Sequence, residues 1–217
     1  CYSYYTYQCD SLMASPNGDK QWDSFLTEAI GKGLKGKQLH NAIPHRRMSA
    51  TIYKNYPQGK ITVTDFLLGQ YYLYEDALNS QEWNIESDSM KVVLGHECQK
   101  ATCSFRGRKW TAWFALDVPI SDGPLIFCGL PGLIMEVYDR GKQYYFCING
   151  MQQVSTTPIT FGNLDKDFKY FQKINRKDFL ISKYRYLRNQ NSINEASTGI
   201  SLGSVDEALK YDLIERE

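Results

Sequence analysis

The sequence lacks most of the features that mark a catalytic or nucleic-acid-binding protein. It has three histidines, and it contains neither a G-x-S-x-G turn nor a glycine motif that cradles phosphate. Lys and Arg number 25 against 24 Asp and Glu, so no excess of positive charge would attract nucleic acid or an acidic membrane. No apolar run approaches the roughly 18 residues that span a bilayer. We therefore expect no nucleic-acid partner, no cofactor and no transmembrane segment.

The chain begins with Cys1 instead of Met, which indicates a processed or trimmed chain. Cys1 is compatible with the lipid anchor of a bacterial lipoprotein and equally with trimming of a longer chain. Six cysteines permit disulfides in an exported protein, although a core of this size can stand without them. Cys98 and Cys103 would face opposite sides of one strand and so cannot bond each other. Buried free thiols and bridges both stay open for the last four cysteines.

What the sequence does contain is the pattern of an antiparallel β protein. Its 16 tyrosines suit half-buried, pleated surfaces, and residues 97–116 alternate apolar and polar side chains around a turn. Taking Gly107-Arg108 as a type II′ loop pairs Phe105 with Trp110 and Cys103 with Ala112. The pairing predicts one apolar face and one mostly polar face, as in a sheet with one wet side.

The remaining segments extend this pattern along the chain. Strands are predicted in MSATIYKNY and KITVTDFL around a turn at residues 57–59, then in QYYLYED, EWNIES and MKVVLG. Leu130-Pro131-Gly132-Leu133 fits a type II turn, and LIMEVYD turns through Arg140-Gly141 into QYYFCINGMQQV. Helices are predicted around residues 22–30, near 176–187, and at the end with Ser204 as N-cap; Tyr2–Tyr7 is a candidate strand and 189–204 a loop or linker.

We therefore predict one mainly β domain spanning residues 1–217. Its core would be a curved antiparallel sheet, a half-barrel or a sandwich, with short flanking helices at both ends. Residues 1–47 form an N-terminal strand, helix and loop region, 48–160 the antiparallel β core, and 161–217 a mixed C-terminal segment with a terminal helix.

Candidate chemistry is sparse. His96 and Cys98 would share a face of one strand and could supply half of a metal site or a thiol–imidazole pair, but no second half follows. Asp117 and Asp122 could act as general acid and base, yet Asp in such a Gly/Pro-rich loop is usually a turn former. The glycine- and lysine-rich loop after the first helix is best interpreted as solvated. We assign no catalytic and no metal-binding residue.

The most distinctive surface is the hairpin FRGRKW. Arg106, Arg108 and Lys109 crowd its tip, and Trp110 and Trp113 lie close by. Such a cluster can recognise carboxylates, phosphates or sugars through bidentate and stacking contacts. The candidate binding rim consists of these five residues together with three from the following loops: Asp122, Leu130 and Pro131.

Residues 95–139, GHECQKATCSFRGRKWTAWFALDVPISDGPLIFCGLPGLIMEVYD, strongly resemble the signature of the GLPGLI family, whose naming string stands here at Gly129–Ile134. IYKNYPQGKITVTD and YYLYEDALNSQEWNI are also similar to the family pattern. The resemblance implies exported Bacteroidetes proteins, periplasmic or associated with the outer membrane and often encoded beside TonB-dependent transporters. It implies no established activity. By fold-level analogy only, the signature is similar to the half-barrel of periplasmic lipoprotein carriers.

A signature of turn-forming and packing residues favours a binding or assembly role. The first hypothesis is a non-catalytic, secreted envelope protein that carries or binds a small or apolar ligand, or assists outer-membrane transport, at the periplasm or the outer-membrane surface. The alternatives are an accessory, peptidase-like hydrolase with His96, Cys98, Asp117 or Asp122 at its site, and a structural docking module for a TonB-dependent transporter.

Overall fold

A computed structural model describes residues 18–35, 38–39, 42, 50–151 and 171–198. The predictions for Cys1, Tyr2–Tyr7 and the Ser204-capped helix lie outside these residues. Two helices and nine strands are described, and their bounds are as follows: α1 (Gly18–Gly31), β1 (Thr51–Lys54), β2 (Lys60–Leu67), β3 (Gln70–Ala77), β4 (Asn84–Val93), β5 (His96–Phe105), β6 (Arg108–Ala115), β7 (Leu133–Asp139), β8 (Tyr145–Cys147), β9 (Phe171–Lys173) and α2 (Arg176–Thr198).

The strands form two sheets. The four-stranded sheet has the order β1-β2-β3-β9, and the five-stranded sheet is a meander in the order β4-β5-β6-β7-β8. All described pairings are antiparallel except that of β3 with β9, which is parallel. This architecture confirms the predicted mainly β class with flanking helices. No described helix is long and apolar enough to cross a membrane.

The β5–β6 hairpin keeps its predicted faces but not its predicted register. The two-residue loop is Arg106-Gly107, and Cys103 lies opposite Trp110 instead of Ala112. Both loop residues have positive φ, 48° and 72°, which defines a type I′ turn and not the predicted type II′ turn. Because the register differs by two residues, the side chains that both the predicted and the observed strands contain stay on their predicted faces.

The predicted type II turn at Leu130-Pro131-Gly132-Leu133 is wrong. A type II turn needs positive φ at Gly132, whereas in this loop it is Gly129 that has positive φ, at 91°. Gly132 instead permits a close approach: a Cβ added to it would lie 1.8 Å from the carbonyl oxygen of Ala115. Sterics, and not turn geometry, explain this glycine.

Two other element predictions need correction. EWNIES and MKVVLG are a single strand, β4, with a register shift between Glu86 and Met90. The helix predicted near 176–187 continues to Thr198, through residues predicted to be a loop. Asn175 caps it, since its side-chain Oδ1 accepts from the amide of Asp178 at 2.8 Å, and no Gly or Pro interrupts the sequence before residue 199.

The apolar face predicted for β5 and β6 is a hydrophobic core. Ala101, Cys103, Trp110, Ala112 and Phe114 are buried there, and Phe127 and Leu130 from the following loop pack over them. A second cluster lies between the four-stranded sheet and α2, where Phe179 contacts the ring of Tyr74 at 5.4 Å between centroids. A third, around Cys98 and Met135, packs with Trp113, so the predicted polar face is partly apolar.

Candidate binding site

An open cleft of about 560 Å³ lies between the β5–β6 turn and the β7–β8 turn. Trp110 pairs with Asp139 across β6 and β7, which brings the start of β6 beside the end of β7. The amide of Arg140 also donates to the carbonyl of Lys109 at 2.9 Å, joining the two turns. The cleft is lined by seven residues: Gly107, Arg108, Lys109, Asp139, Arg140, Gly141 and Gln143.

Arg108 forms part of the cleft wall and is not a free cation. Its side chain is 2% exposed, and its Nη1 donates to Asp139 Oδ2 at 2.8 Å and to Gln143 Oε1 at 2.9 Å. The guanidinium lies 4.8 Å from the ring centroid of Tyr144. The turn is further fixed by Asp139, whose Oδ1 accepts from the amide of Tyr144 at 3.0 Å. These contacts fix the conformation of the cleft wall and pair the Asp139 carboxylate with Arg108.

The mouth of the cleft is positively charged. Lys109 and Arg140 are both exposed, and Asp139, the acidic residue of the lining, is already paired with Arg108. Two cationic side chains and the backbone of Gly107 and Gly141 therefore face an open volume. Such an arrangement attracts carboxylate or phosphate groups and can bind them through charge-assisted hydrogen bonds.

The other arginine of the predicted rim is tied to the neighbouring sheet. Arg106 forms an ion pair with Asp76 at the end of β3, and its guanidinium lies 4.7 Å from the ring of Phe105. Asp76 is also 3.4 Å from Arg176 at the start of α2. Arg106 thus joins three elements, which leaves Lys109 as the exposed cation of the hairpin tip.

The aromatic and loop residues of the predicted rim do not lie together: some are buried in the core and others are on the surface. Trp110 is buried, contacts Phe127 at 4.6 Å between centroids, and donates from Nε1 to the carbonyl of Phe105. Leu130 is buried in the same cluster. Trp113 is half-buried on the opposite face, and its ring centroid lies 4.5 Å from Lys91 Nζ. Pro131 is exposed. Only Arg108 and Lys109 of the predicted set come together in the cleft, and the ligand-binding role of the set stays a prediction.

Asp122 belongs to a buried junction between the two sheets. Lys54 at the end of β1 donates from Nζ to Asp122 Oδ1 at 2.6 Å, and to the carbonyls of Gly123 and Phe127 at 2.5 and 2.8 Å. Both charged side chains are about nine-tenths buried, at 9% and 11% exposure. Gln81 and Trp83 donate to the carbonyls of Ile126 and Cys128 in the same loop. We call this contact set, from Lys54 to the loop 122–128, the junction.

The residues considered for hydrolysis fall into separate places. His96 Nδ1 lies 2.7 Å from Asp117 Oδ2 in a partly exposed pair, whereas Asp122 is bound to Lys54. Cys98 is fully buried, and burial raises the pKa of its thiol, so it is not poised as a thiolate. The four described cysteines are free thiols. Within the described ranges, no three His, Cys, Asp or Glu side chains cluster as metal ligands would.

Sequence reasoning missed Asp139, Arg140 and Gln143. The available signal was the second Arg-Gly turn, at Arg140-Gly141, which has the same composition as the first one at Arg106-Gly107. Pairing β6 with β7 would have placed the two turns side by side. Lys54 was also missed, because nothing in the local sequence links it to a loop 68 residues further on.

Comparison with known proteins gives a family match. The model of a family described as "Protein of unknown function (Porph_ging)" matches residues 106–136, which begin in the β5–β6 turn and end in β7. Comparison with curated proteins finds no match.

Among solved structures, the chain is similar to "Structure of PNGF-II in C2 space group" and "Structure of PNGF-II in P21 space group". The identities are 15% and 14%, and the TM-score is 0.42 for both. Each match covers 64% of this chain and 25% of the other, so the chain spans about a quarter of the length of these proteins. A likeness of this size carries no argument about fold or function.

Proposed function

We propose that this chain is a non-catalytic binding protein of the exported GLPGLI family and that it holds an anionic group of its ligand in the cleft between the two Arg-Gly turns. The observation that carries the proposal is the charge of the cleft: Lys109 and Arg140 are exposed at its mouth, while Asp139 is paired with Arg108. The string at Gly129–Ile134, on which we base the family assignment, lies within the residues 106–136 that a family model of unknown function matches.

The proposal can be tested by following backbone amide shifts on addition of inorganic phosphate and of succinate. Binding in the cleft should move the amides of Gly107 and Gly141 in a saturable way and weaken as salt is added. Replacing Lys109 and Arg140 by Ala should reduce the affinity roughly tenfold or more, since each contributes a charge-assisted contact.

Lys60→Ala is the matched control, because Lys60 is an exposed cation paired with Glu75 and does not line the cleft. It should bind both anions as the unchanged protein does. Equal weakening by Lys60→Ala and by the Lys109 and Arg140 variants would show a diffuse charge effect and would contradict the proposed site.

The proposal extends to location and partners. We expect a single-domain protein in the periplasm or at the outer-membrane surface of a Bacteroidetes cell, with a TonB-dependent transporter or a small ligand as its partner and Cys1 as a candidate lipid anchor. Native mass spectrometry of protein from the host envelope, beside the recombinant chain, tests this. A host-specific mass difference at Cys1 would indicate lipidation, and a dissociable adduct would indicate a carried ligand.

One observation favours the alternative, an accessory hydrolase. His96 and Asp117 form a histidine–carboxylate pair, which is a common way to orient a general base. Their neighbour Cys98 is buried, and its thiol pKa is raised by that burial. A hydrolytic role would therefore need a water molecule as the nucleophile, with His96 as the base, and loss of a measurable peptidase rate in Asp117→Asn would support it.

A further inference from the structure

The tip of the β2–β3 hairpin presents apolar side chains to solvent. Its two-residue loop is Leu68-Gly69, with φ of 52° and 79°, which is a type I′ turn. Asn, Asp and Gly are favoured at the first position of such a turn, and a leucine is rare there. Leu68 is nevertheless 58% exposed. The chain thus holds an aliphatic side chain in water at a strained backbone position, which calls for a functional explanation.

A row of aromatic rings lies directly behind this leucine. Phe66 pairs with Tyr71 across β2 and β3, and Tyr71 pairs with Phe171 across β3 and β9. The ring centroids are 4.8 and 5.4 Å apart, so the three rings form a continuous strip. Phe66 and Tyr71 are 49% and 51% exposed. Together with Leu68 these three residues form what we call the apolar tip.

Acidic residues are absent from the strand segments that form the apolar tip. Residues 66–72 and 171–173 contain no carboxylate, and they include the exposed Lys173. Of the neighbouring acids, Asp65 is buried and paired with Lys183 of α2 at 2.5 Å. Glu75 stands further along β3, is paired with Lys60 and interacts with Lys173. The tip therefore carries an aliphatic side chain at its apex, aromatic rings behind it and a lysine further back. Side chains of these three kinds are found in the same order from the hydrocarbon region of a membrane to its aqueous surface.

We propose that the apolar tip inserts into the interfacial layer of a lipid bilayer, with Leu68 deepest and Phe66, Tyr71 and Phe171 at the level of the headgroups. The occupant is a lipid surface, because a bilayer accepts a small convex apolar tip without needing a shaped pocket, and tyrosine and phenylalanine partition favourably to its interface.

The β4–β5 tip shows which feature is decisive. Its loop, Leu94-Gly95, has the same turn geometry, with φ of 50° and 85°, and Leu94 is also exposed. However, exposed carboxylates flank it at Glu97 and Asp117, and these would have to be dehydrated on insertion. We therefore assign the lipid surface to the Leu68 tip and use the Leu94 tip as its control.

The test is cosedimentation of the full, unlipidated chain with vesicles of phosphatidylcholine and with vesicles of phosphatidylcholine and phosphatidylglycerol in equal parts. The unchanged protein should bind both kinds, with little dependence on salt. Leu68→Asn should lower the partition coefficient roughly tenfold or more, since the leucine contributes most of the buried aliphatic area. Leu94→Asn should bind like the unchanged protein. Asn tolerates positive φ, so Leu68→Asn should be at least as thermally stable as the unchanged protein.

A second readout places the residue in the bilayer. In Tyr71→Trp, the emission of the new tryptophan should shift to shorter wavelength on addition of vesicles and be quenched by brominated acyl chains. The proposal is overturned if the protein stays in solution with both kinds of vesicle or if Leu94→Asn loses as much binding as Leu68→Asn. Binding only to phosphatidylglycerol that salt abolishes would implicate the cationic cleft instead. A Leu68-dependent dimer formed without lipid would assign the tip to a second copy of the chain.

Discussion

The junction and the hairpin tips use their side chains in opposite ways. At the junction, a lysine and an aspartate are buried together, and the ammonium is surrounded by three acceptors. At the Leu68 and Leu94 tips, aliphatic side chains are exposed in turns that usually carry polar residues. The β5–β6 tip lies between these extremes, since its Arg106 occupies the same turn position as the leucines but pairs with Asp76.

The difference shows that the backbone sets the shape of each turn, while one side chain sets what the turn contacts. Gly69, Gly95 and Gly107 each follow a residue with positive φ, so the three turns share one backbone shape. The residue before the glycine then determines what the tip contacts. Arg106 pairs with another part of the chain, whereas Leu68 and Leu94 face solvent. If this comparison holds, losing the buried charge at the junction should lower the free energy of unfolding, and replacing an exposed turn leucine should raise it.

The largest effect should come from Lys54→Met at the junction. The change leaves the Asp122 carboxylate and two carbonyls without their common donor, and breaking a buried ion pair from one side typically costs 3–5 kcal/mol, so we expect a loss of about that size. Urea unfolding at neutral pH measures it. Lys60→Met is the control, since the exposed Lys60–Glu75 pair should contribute at most about 1 kcal/mol. Similar losses in the two variants would show that the junction does not stabilise the fold.

A smaller effect should appear at alkaline pH, in the core of the five-stranded sheet. Burial raises the pKa of the Cys103 thiol to about 12, from an ordinary value of 9.0. The unfolded thiol therefore loses its proton first, and the stability that comes from keeping it protonated is complete below pH 9 and declines as pH rises toward 12. Within that window the slope from Cys103 is at most about 1.4 kcal/mol per pH unit.

The measurement is the free energy of unfolding as a function of pH in Cys103→Ala and Val137→Ala. Both variants truncate a side chain in the same cluster, so both should lose stability at neutral pH. Only Cys103→Ala should show a flatter decline above pH 9. Parallel curves for the two variants would mean that the thiol does not carry the alkaline loss.

The smallest effect concerns the strained leucine of the second tip. Leu94→Asn replaces a residue that disfavours positive φ by one that tolerates it, so we expect a gain of about 0.5–1 kcal/mol in thermal or urea unfolding. Leu116→Asn is the comparison, because Leu116 is equally exposed but does not have positive φ. It should give no gain. A gain in Leu116→Asn of the same size would attribute the effect to lost surface hydrophobicity instead of relieved strain.

At the β5–β6 hairpin, the sequence predicted correctly which side chains share a face of the sheet but not which residues pair across the two strands. Alternation of polar and apolar residues has a period of two, so it cannot distinguish pairings that differ by two residues. The loop residue Arg106 decided the outcome by adopting positive φ beside Gly107. In the same way, Gly132 was recognised as important, but its reason is the backbone of Ala115, which no local pattern reveals.

The candidate site could be predicted only in part. The tip cations were identifiable from their spacing, and Arg108 and Lys109 do line the cleft. Which cation is exposed depended on distant partners: Asp76 and Asp139 pair with Arg106 and Arg108, and each lies about 30 residues from its arginine along the chain. Composition and periodicity do not encode such pairings, because they follow from how the strands are ordered in the two sheets.

The parallel pairing of β9 with β3 has a consequence for the order in which the chain can fold. All five strands of the five-stranded sheet lie in sequence between these two partners, and they pair only with their neighbours along the chain. Their contacts are therefore local, and local pairings form quickly. The four-stranded sheet instead joins Tyr71 to Phe171, which requires closing a loop of about a hundred residues. The meander is thus an insertion between β3 and β9, and its folding before these strands pair would shorten the loop that the pairing has to close.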